Sequence, residues 1–366
     1  MADWVQEGDD ANGEKIVKVK EEADGKIYAL DNNTKAALVE LKKSLHTQKC
    51  FVVKTGADAS YVVVDGVTQD IPANTQKIIT FTDTFKFSPD SGLRYQPIEF
   101  IGLAITDAST MTTMKSMFSE CKKLTSIDLS GLNASSVTDM SGMFNYCSSI
   151  KSINLLGMDT SSVTNMNSMF YNCTNISSID LSRLTTSNVT NMSDMFTECR
   201  SLKSIDFSGF DTSKVMDMSY IFYDCVELES IDLSKFNTSA VTDMNGMFGG
   251  YRYDGTDYIS GFTSLDLSSF DTSSVTAMDE MFSYCPNLTS LILGPNFFKT
   301  SKVASVNFLS CTKWTNDTVV TSLVTNSYDR ATAGLNTMTL QLSANTKAAL
   351  TDEQKAAITA KGYTIA

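Results

Sequence analysis

Seven cysteines occupy one position of a repeating unit: Cys121, Cys147, Cys173, Cys199, Cys225, Cys285 and Cys311, each three residues after a phenylalanine. Cys50 stands apart. Thiols in this number could pair as disulfides, hold a metal or act as nucleophiles. Their spacing argues against all three. No Cys-x-x-Cys occurs, and the single histidine, His46, is remote in sequence from the repeats. One thiol per repeat reads instead as a ladder of small buried apolar side chains. Two methionine columns read the same way. Met114, Met140, Met166, Met192, Met218, Met244 and Met278 form one; Met117, Met143, Met169, Met195, Met247 and Met281 form the other, with Ile221 substituting once.

A row of carboxylates is the second candidate chemistry. Asp128, Asp180, Asp206, Asp232 and Asp266, with Asn154 among them, lie between apolar residues at strand spacing, and serines flank them. Such a row repels itself unless it is solvated, hydrogen-bonded or counter-ioned. It is either a water- or serine-bonded ladder, or a surface for cations or a basic partner. Single carboxylates on a flat sheet make a poor calcium cage, so no metal site is assigned.

The third candidate is a break in the repeat. Phe118, Phe144, Phe170, Phe196, Phe222 and Phe248 are each 26 residues apart, whereas Phe282 follows Phe248 by 34, an insertion of 34 − 26 = 8 residues. The inserted stretch carries Tyr251, Arg252, Tyr253, Asp254, Asp257 and Tyr258, residue types that make contact hot spots. It is read as a candidate recognition loop against the plainer reading of a tolerated surface loop. No nucleophile elbow, phosphate-binding loop, dinucleotide fingerprint or zinc motif occurs. The expectation is a non-enzymatic protein without a cofactor.

The positioning elements follow from the period. Each unit opens with Leu-x-x-Ile-x-Leu, as in Leu124, Ile127 and Leu129, whose alternation predicts a short strand. It continues with Val137, Met140, Met143, Phe144 and Cys147, whose spacing predicts one face of a helix, with Thr-Ser pairs such as Thr212-Ser213 as its cap. Neither half can bury its apolar face alone, so stacking must build the core. Strands about 4.8 Å apart would make eight repeats a slab roughly 40 Å long.

The predicted organisation runs as follows. Residues 1–48 form a polar arm with one short strand at 26–30 and a helix over 32–45. Residues 49–97 form a small β module, a candidate attachment or assembly part. Residues 98–311 form a solenoid of eight repeats, and residues 312–366 cap it. Within the cap the pattern predicts a degenerate repeat helix just upstream at 302–311, a polar helix at 316–327, a strand at 338–342 and a Thr-capped helix at 351–361.

The unit Leu-x-Ser-Ile-Asp-Leu-Ser-x-Phe-Asp-Thr-Ser-x-Val-Thr-x-Met-x-x-Met-Phe-x-x-Cys resembles the 26-residue repeat of BspA-like bacterial surface proteins, a branch of leucine-rich repeats. The resemblance covers residues 98–311, and 340–366 is similar to the ending of such proteins. It implies an α/β leucine-rich-repeat solenoid with strand plus helix per repeat, surface display and adhesion to protein or host ligands, and no catalysis. The formal charge of −13, from 29 basic and 42 acidic residues, disfavours nucleic acid and anionic membranes. No run of 18 apolar residues exists. The acidic N-terminus has no basic, apolar leader.

The expectation is therefore a structural or binding protein made in a host cytoplasm and carried on a phage virion. Residues 1–97 would dock on a capsid or tail chain, and the repeats would meet a host or mucosal ligand. The alternative is a bacterial cell-surface adhesin. Homo-oligomers fit either. The near-identity of the exposed repeat positions favours a scaffold or broad contact.

Overall fold

The computed structural model describes residues 111–129, 132–251, 259–300, 302–314 and 322–366 with their side chains, and elsewhere the backbone of the elements named below. Three strands, β1 (Trp4–Asp9), β2 (Lys15–Lys20) and β3 (Ile27–Leu30), form an antiparallel sheet. The sequence predicted one strand there; the period-2 run Val17-Lys18-Val19-Lys20 was the missed signal. The helix predicted over 32–45 lies outside the described residues.

Strands β4 (Lys49–Thr55), β5 (Ser60–Val64), β6 (Val67–Ile71), β7 (Gln76–Phe81) and β8 (Phe85–Lys86) follow. They divide between two sheets. Strands β6, β5 and β8 make one. The other runs β11-β10-β9-β4-β7, where β9 (Ile98–Leu103), β10 (Ser126–Asp128) and β11 (Ser152–Asn154) belong to the repeats. Strand β4 pairs antiparallel with β9, so the small β module and the first repeat share one sheet.

The repeats form a β-solenoid. Strands β9, β10 and β11 pair in parallel, and so do β12 (Ser178–Asp180) with β13 (Ser204–Asp206) and β16 (Ser264–Leu267) with β17 (Ser290–Leu293). Between β13 and β16 come β14 (Tyr251–Tyr253) and β15 (Thr256–Tyr258), the hairpin of the insertion. A second column of single parallel bridges runs Thr113, Asp139, Asn165, Asn191, Asp217, Asp243 and Ala277.

The predicted helix is not formed in the described repeats. Met140 to Cys147 is instead a run of three overlapping tight turns. Met143 N–H, Asn145 N–H and Cys147 N–H close back on the carbonyls of Met140, Gly142 and Phe144, at 3.2, 3.0 and 3.0 Å. The alternate amides point the other way. Met140, Gly142, Phe144 and Tyr146 donate to Asn165, Asn167, Met169 and Tyr171 of the next coil at 2.8–2.9 Å. In the coils from Ser116 to Asp224 two residues each take left-handed backbone, Gly142 (φ 61°) and Tyr146 (φ 59°) here, Asp194 and Glu198, or Tyr220 and Asp224 elsewhere. An α-helix keeps every N–H for itself. A left-handed residue after each turn frees half of them for the neighbouring coil, and Gly, Asn, Asp and Ser tolerate or compete for that geometry.

The inward positions are nevertheless those the spacing indicated. Met140, Met143, Phe144 and Cys147 and their equivalents are fully buried. The phenylalanines stack from Phe118 to Phe308 with centroids 5.0–6.0 Å apart. The repeat cysteines are free thiols. Cys147, Cys173 and Cys199 donate to the carbonyls of Phe118, Phe144 and Phe170 at 3.0–3.2 Å, so the ladder is hydrogen-bonded as well as apolar. Burial pushes Cys199 and Cys285 up to about 12, which keeps them neutral. The threonines expected to cap a helix stitch coils together instead. Buried Thr212 donates to the carbonyl of Asn237 at 3.0 Å and accepts that residue's N–H at 2.8 Å.

At the C-terminal end the degenerate repeat is a strand, β18 (Ser305–Phe308), not a helix. It pairs with β19 (Met338–Leu342), which pairs with β20 (Tyr363–Ile365). Of the predicted polar helix, Val320–Thr325 is a π-helix, and residues 316–319 lie outside the described residues. Helices α1 (Ala344–Ala349) and α2 (Asp352–Ala360) complete the cap, α2 with the expected Thr351 cap, which closes a capping box with Gln354. Buried Arg330 locks the closure through the carbonyls of Phe298, Thr300 and Asn336. A buried guanidinium stands only where such acceptors surround it.

Candidate functional site: a lateral edge of tyrosines and carboxylates

The acidic row is part of the coil's own backbone. Asp180, Asp206, Asp232 and Asp266 each accept the N–H two residues on, from Ser182, Ser208, Ser234 and Ser268, at 2.8–2.9 Å. Asn154 does the same for Leu156, and Asp128 ends the equivalent strand. These are Asx turns. The backbone and hydroxyl of Ser208 hold the Asp206 carboxyl below the usual range, and Ser234 does so for Asp232.

The same turn recurs at two further corners of the coil, at Asp159, Asp211 and Asp271, and at Asp139, Asp217 and Asp243. The uniform polar positions thus serve chain reversal. Residues 230–232 form no strand, and a shallow depression separates Asp232 from Asp266.

Of the insertion, the backbone of β14 pairs with that of β15 in register Tyr251 to Tyr258, Arg252 to Asp257 and Tyr253 to Thr256. The side chains of residues 252–258, and Asp254 altogether, lie outside the described residues. Tyr251, at the root of the hairpin, joins an arrangement the sequence reading missed.

That arrangement is built on the two residues between Phe and Cys. They are Ser119-Glu120, Asn145-Tyr146, Tyr171-Asn172, Thr197-Glu198, Tyr223-Asp224 and Ser283-Tyr284. They vary from coil to coil while the inward Met, Phe and Cys positions do not, and that variation was the legible signal. The tight turns bring them to one lateral edge. Lys122 Nζ lies 5.8 Å from the Tyr146 ring centre, and Tyr146 packs on Tyr171 at 5.3 Å. The Tyr171 hydroxyl donates to Glu198 at 3.2 Å, and Asn172 Nδ2 donates to Glu198 at 2.6 Å. Arg200 pairs with Glu198 and with Asp224, each at 2.9 Å, and its Nη2 lies 3.5 Å from the Tyr251 hydroxyl.

Tyr251 in turn stacks on Tyr223, with centroids 6.0 Å apart and planes 7° apart. Tyr220 meets Tyr223 edge-on at 5.2 Å. The Tyr220 ring lies across Gly246 so closely that a Cβ there would sit 2.3 Å from it, and Asn245 Nδ2 donates to its hydroxyl at 2.8 Å.

Asp224 is buried, and only its Oδ2 meets Arg200; Oδ1 has no hydrogen-bond partner. Burial raises its carboxyl to about 6, against the pull of Arg200. Burial, and then the Glu280 carboxylate, push the Tyr220 and Tyr223 hydroxyls up. Among the described residues no group of three or more His, Cys, Asp or Glu is placed to hold a metal, and no helix is long and apolar enough to cross a membrane. The edge offers ring faces, hydrogen-bond donors and carboxylates, the chemistry of contact.

A continuous repeat core with a variable lateral edge defines a solenoid repeat protein. The repeats match the family described as "Mycoplasma protein of unknown function, DUF285" over residues 98–205, 172–260 and 199–320. These segments together span more than half of the chain, and the chain belongs to that family. No curated protein and no solved structure matches it.

Proposed function

We propose that this chain is a non-enzymatic surface or binding repeat protein that presents its lateral edge, from Tyr146 to Tyr284, to a partner. One observation carries this reading. The polar residues common to all coils are engaged in turns, whereas the residues that differ from coil to coil converge on that edge beside the inserted hairpin. Half-buried tyrosines tied together by carboxylates and an arginine are well suited to protein contact.

Retention of immobilised chain on host cell monolayers and on mucin tests it. The chain carrying Tyr146→Ala, Tyr171→Ala and Tyr223→Ala together, and the chain lacking residues 250–257, should lose retention. Equal retention of all three proteins would sink the edge as the working face. No retention by any of them would sink display itself.

The narrower setting is a virion surface, with residues 1–97 docking on a capsid or tail chain after synthesis in a host cytoplasm. It stands on the sequence reading alone. Mass spectrometry of purified virions should find the chain; recovery in a bacterial surface fraction instead would move the same display function to the bacterial surface.

A further inference from the structure

We propose that the platform of Tyr220, Tyr223 and Tyr251, bordered by Glu280, Glu198 and Asp224, is a docking site for a cationic segment of a protein partner, whose arginine or lysine side chains lie over the rings. The inference rests on the display reading above and adds the chemistry of the partner.

Three observations point to a cation. The first is ring placement. Tyr220 crosses from its own coil over Gly246 of the next, Tyr223 meets it edge-on, and Tyr251 continues the surface at 6.0 Å. Three rings from two adjoining coils thus form one aromatic patch. The second is charge. Exposed Glu280 lies near enough to both Tyr220 and Tyr223 to disfavour their ionisation, and Asp194, Asp243 and Asp224 act on one or other ring in the same sense. Carboxylates around aromatic faces repel anions and hold cations.

The third is that the same edge already accommodates cations from the chain itself. Lys122 sits over Tyr146, and Arg200 is clamped by Glu198, Asp224 and the Tyr251 hydroxyl. A neutral glycan could also stack on tyrosine. The surrounding carboxylates, in a chain of formal charge −13, favour the cation.

The test uses the full chain in about 0.15 M salt, where long-range attraction between exposed charges is screened beyond roughly 8 Å. Fluorescence anisotropy follows a labelled peptide of alternating arginine and glycine and, separately, a labelled neutral N-acetylglucosamine oligomer. The peptide should bind. Glu280→Gln and Tyr223→Ala should each weaken it by about fivefold or more, the range of one cation–π or charge contact. Tyr223→Phe, which keeps the ring, should bind as the parent does and guards against misfolding as the cause. Asp352→Asn, which removes an equal charge from the exposed start of α2, should change nothing.

Equal weakening by Glu280→Gln and Asp352→Asn would show attraction to net charge only and overturn the site. Binding of the oligosaccharide but not the peptide, lost in Tyr223→Ala, would overturn the cationic assignment and leave the edge reading standing. Failure of both probes, with surface retention still lost in the triple tyrosine variant, would do the same.

Discussion

The inside of each coil and its lateral edge obey opposite rules. Inside, one residue type repeats from coil to coil. Phenylalanine stacks on phenylalanine, cysteine donates to the preceding phenylalanine's carbonyl, and threonine bridges to the next coil. At the edge, neighbours differ, and beside the tyrosine–tyrosine contacts unlike residues pair: lysine on tyrosine, asparagine on glutamate, arginine on aspartate. A solenoid coil contacts only its neighbours, so its core must be self-complementary along the axis. The edge bears no such constraint, and its residues are available to recognise something else.

Substitutions separate the two regions. Phe170→Ala removes one ring from the middle of the stack and should cost about 3–5 kcal/mol in chemical denaturation. A loss comparable to that of a surface change would mean the stack is not the structural spine.

Gly246→Ala should cost about 1–2 kcal/mol, because a Cβ is disfavoured at its φ of 64°. It should also displace Tyr220 and so impair the edge. Gly142→Ala shares the backbone cost at φ 61°, but its Cβ would come no nearer than 3.3 Å to a neighbour, the Ser116 hydroxyl. Equal effects of the two on edge binding would remove Tyr220 from the platform.

Protons sharpen the contrast further. Asp224 is raised in the folded state to about 6 from 3.8, so the folded chain binds the extra proton between those values. Its contribution to stability is greatest below pH 4 and falls as pH rises toward 6, by on the order of 1–2 kcal/mol. Asp159, Asp206, Asp211 and Asp232 are lowered, chiefly by the serines two residues on. Their contribution is present above the ordinary carboxylate range and is lost as pH falls through their folded values. Wild type minus Asp224→Asn, measured from pH 4 to 7, should slope downward with pH. A flat difference would show that Asp224 is not desolvated.

The smallest effect belongs to the turns. Asp206→Asn should leave thermal stability unchanged, since Asn154 makes the same turn two coils away in the same row, while Asp206→Ala should lower it slightly. If Asn and Ala behave alike, the Asx bond contributes nothing there.

Much of this was legible from residue order. The period, the inward methionines, phenylalanines and cysteines, strand β19 and the Thr351 cap of α2 follow from spacing. The helix was misread because tight turns bury residues at i, i+3, i+4 and i+7 much as a helix does. The glycines at 142 and 246 and the recurrent Asp, Asn and Ser at left-handed positions were the contrary signal. For the acidic row the sequence leaves a serine-bonded ladder and a cation-binding surface as alternatives; the Oδ1–N–H distances to Ser182 and Ser208 show the serine bonding, as a set of turns.

By itself, then, the sequence determines a stacked array and which side chains lie within it, because burial depends on a period that spacing records directly. Only the tertiary structure decides that alternate amides bond to the next coil and that Arg200, Asp224 and Tyr251 meet. Those contacts join residues 24 to 51 positions apart, and their geometry comes from coils laid side by side.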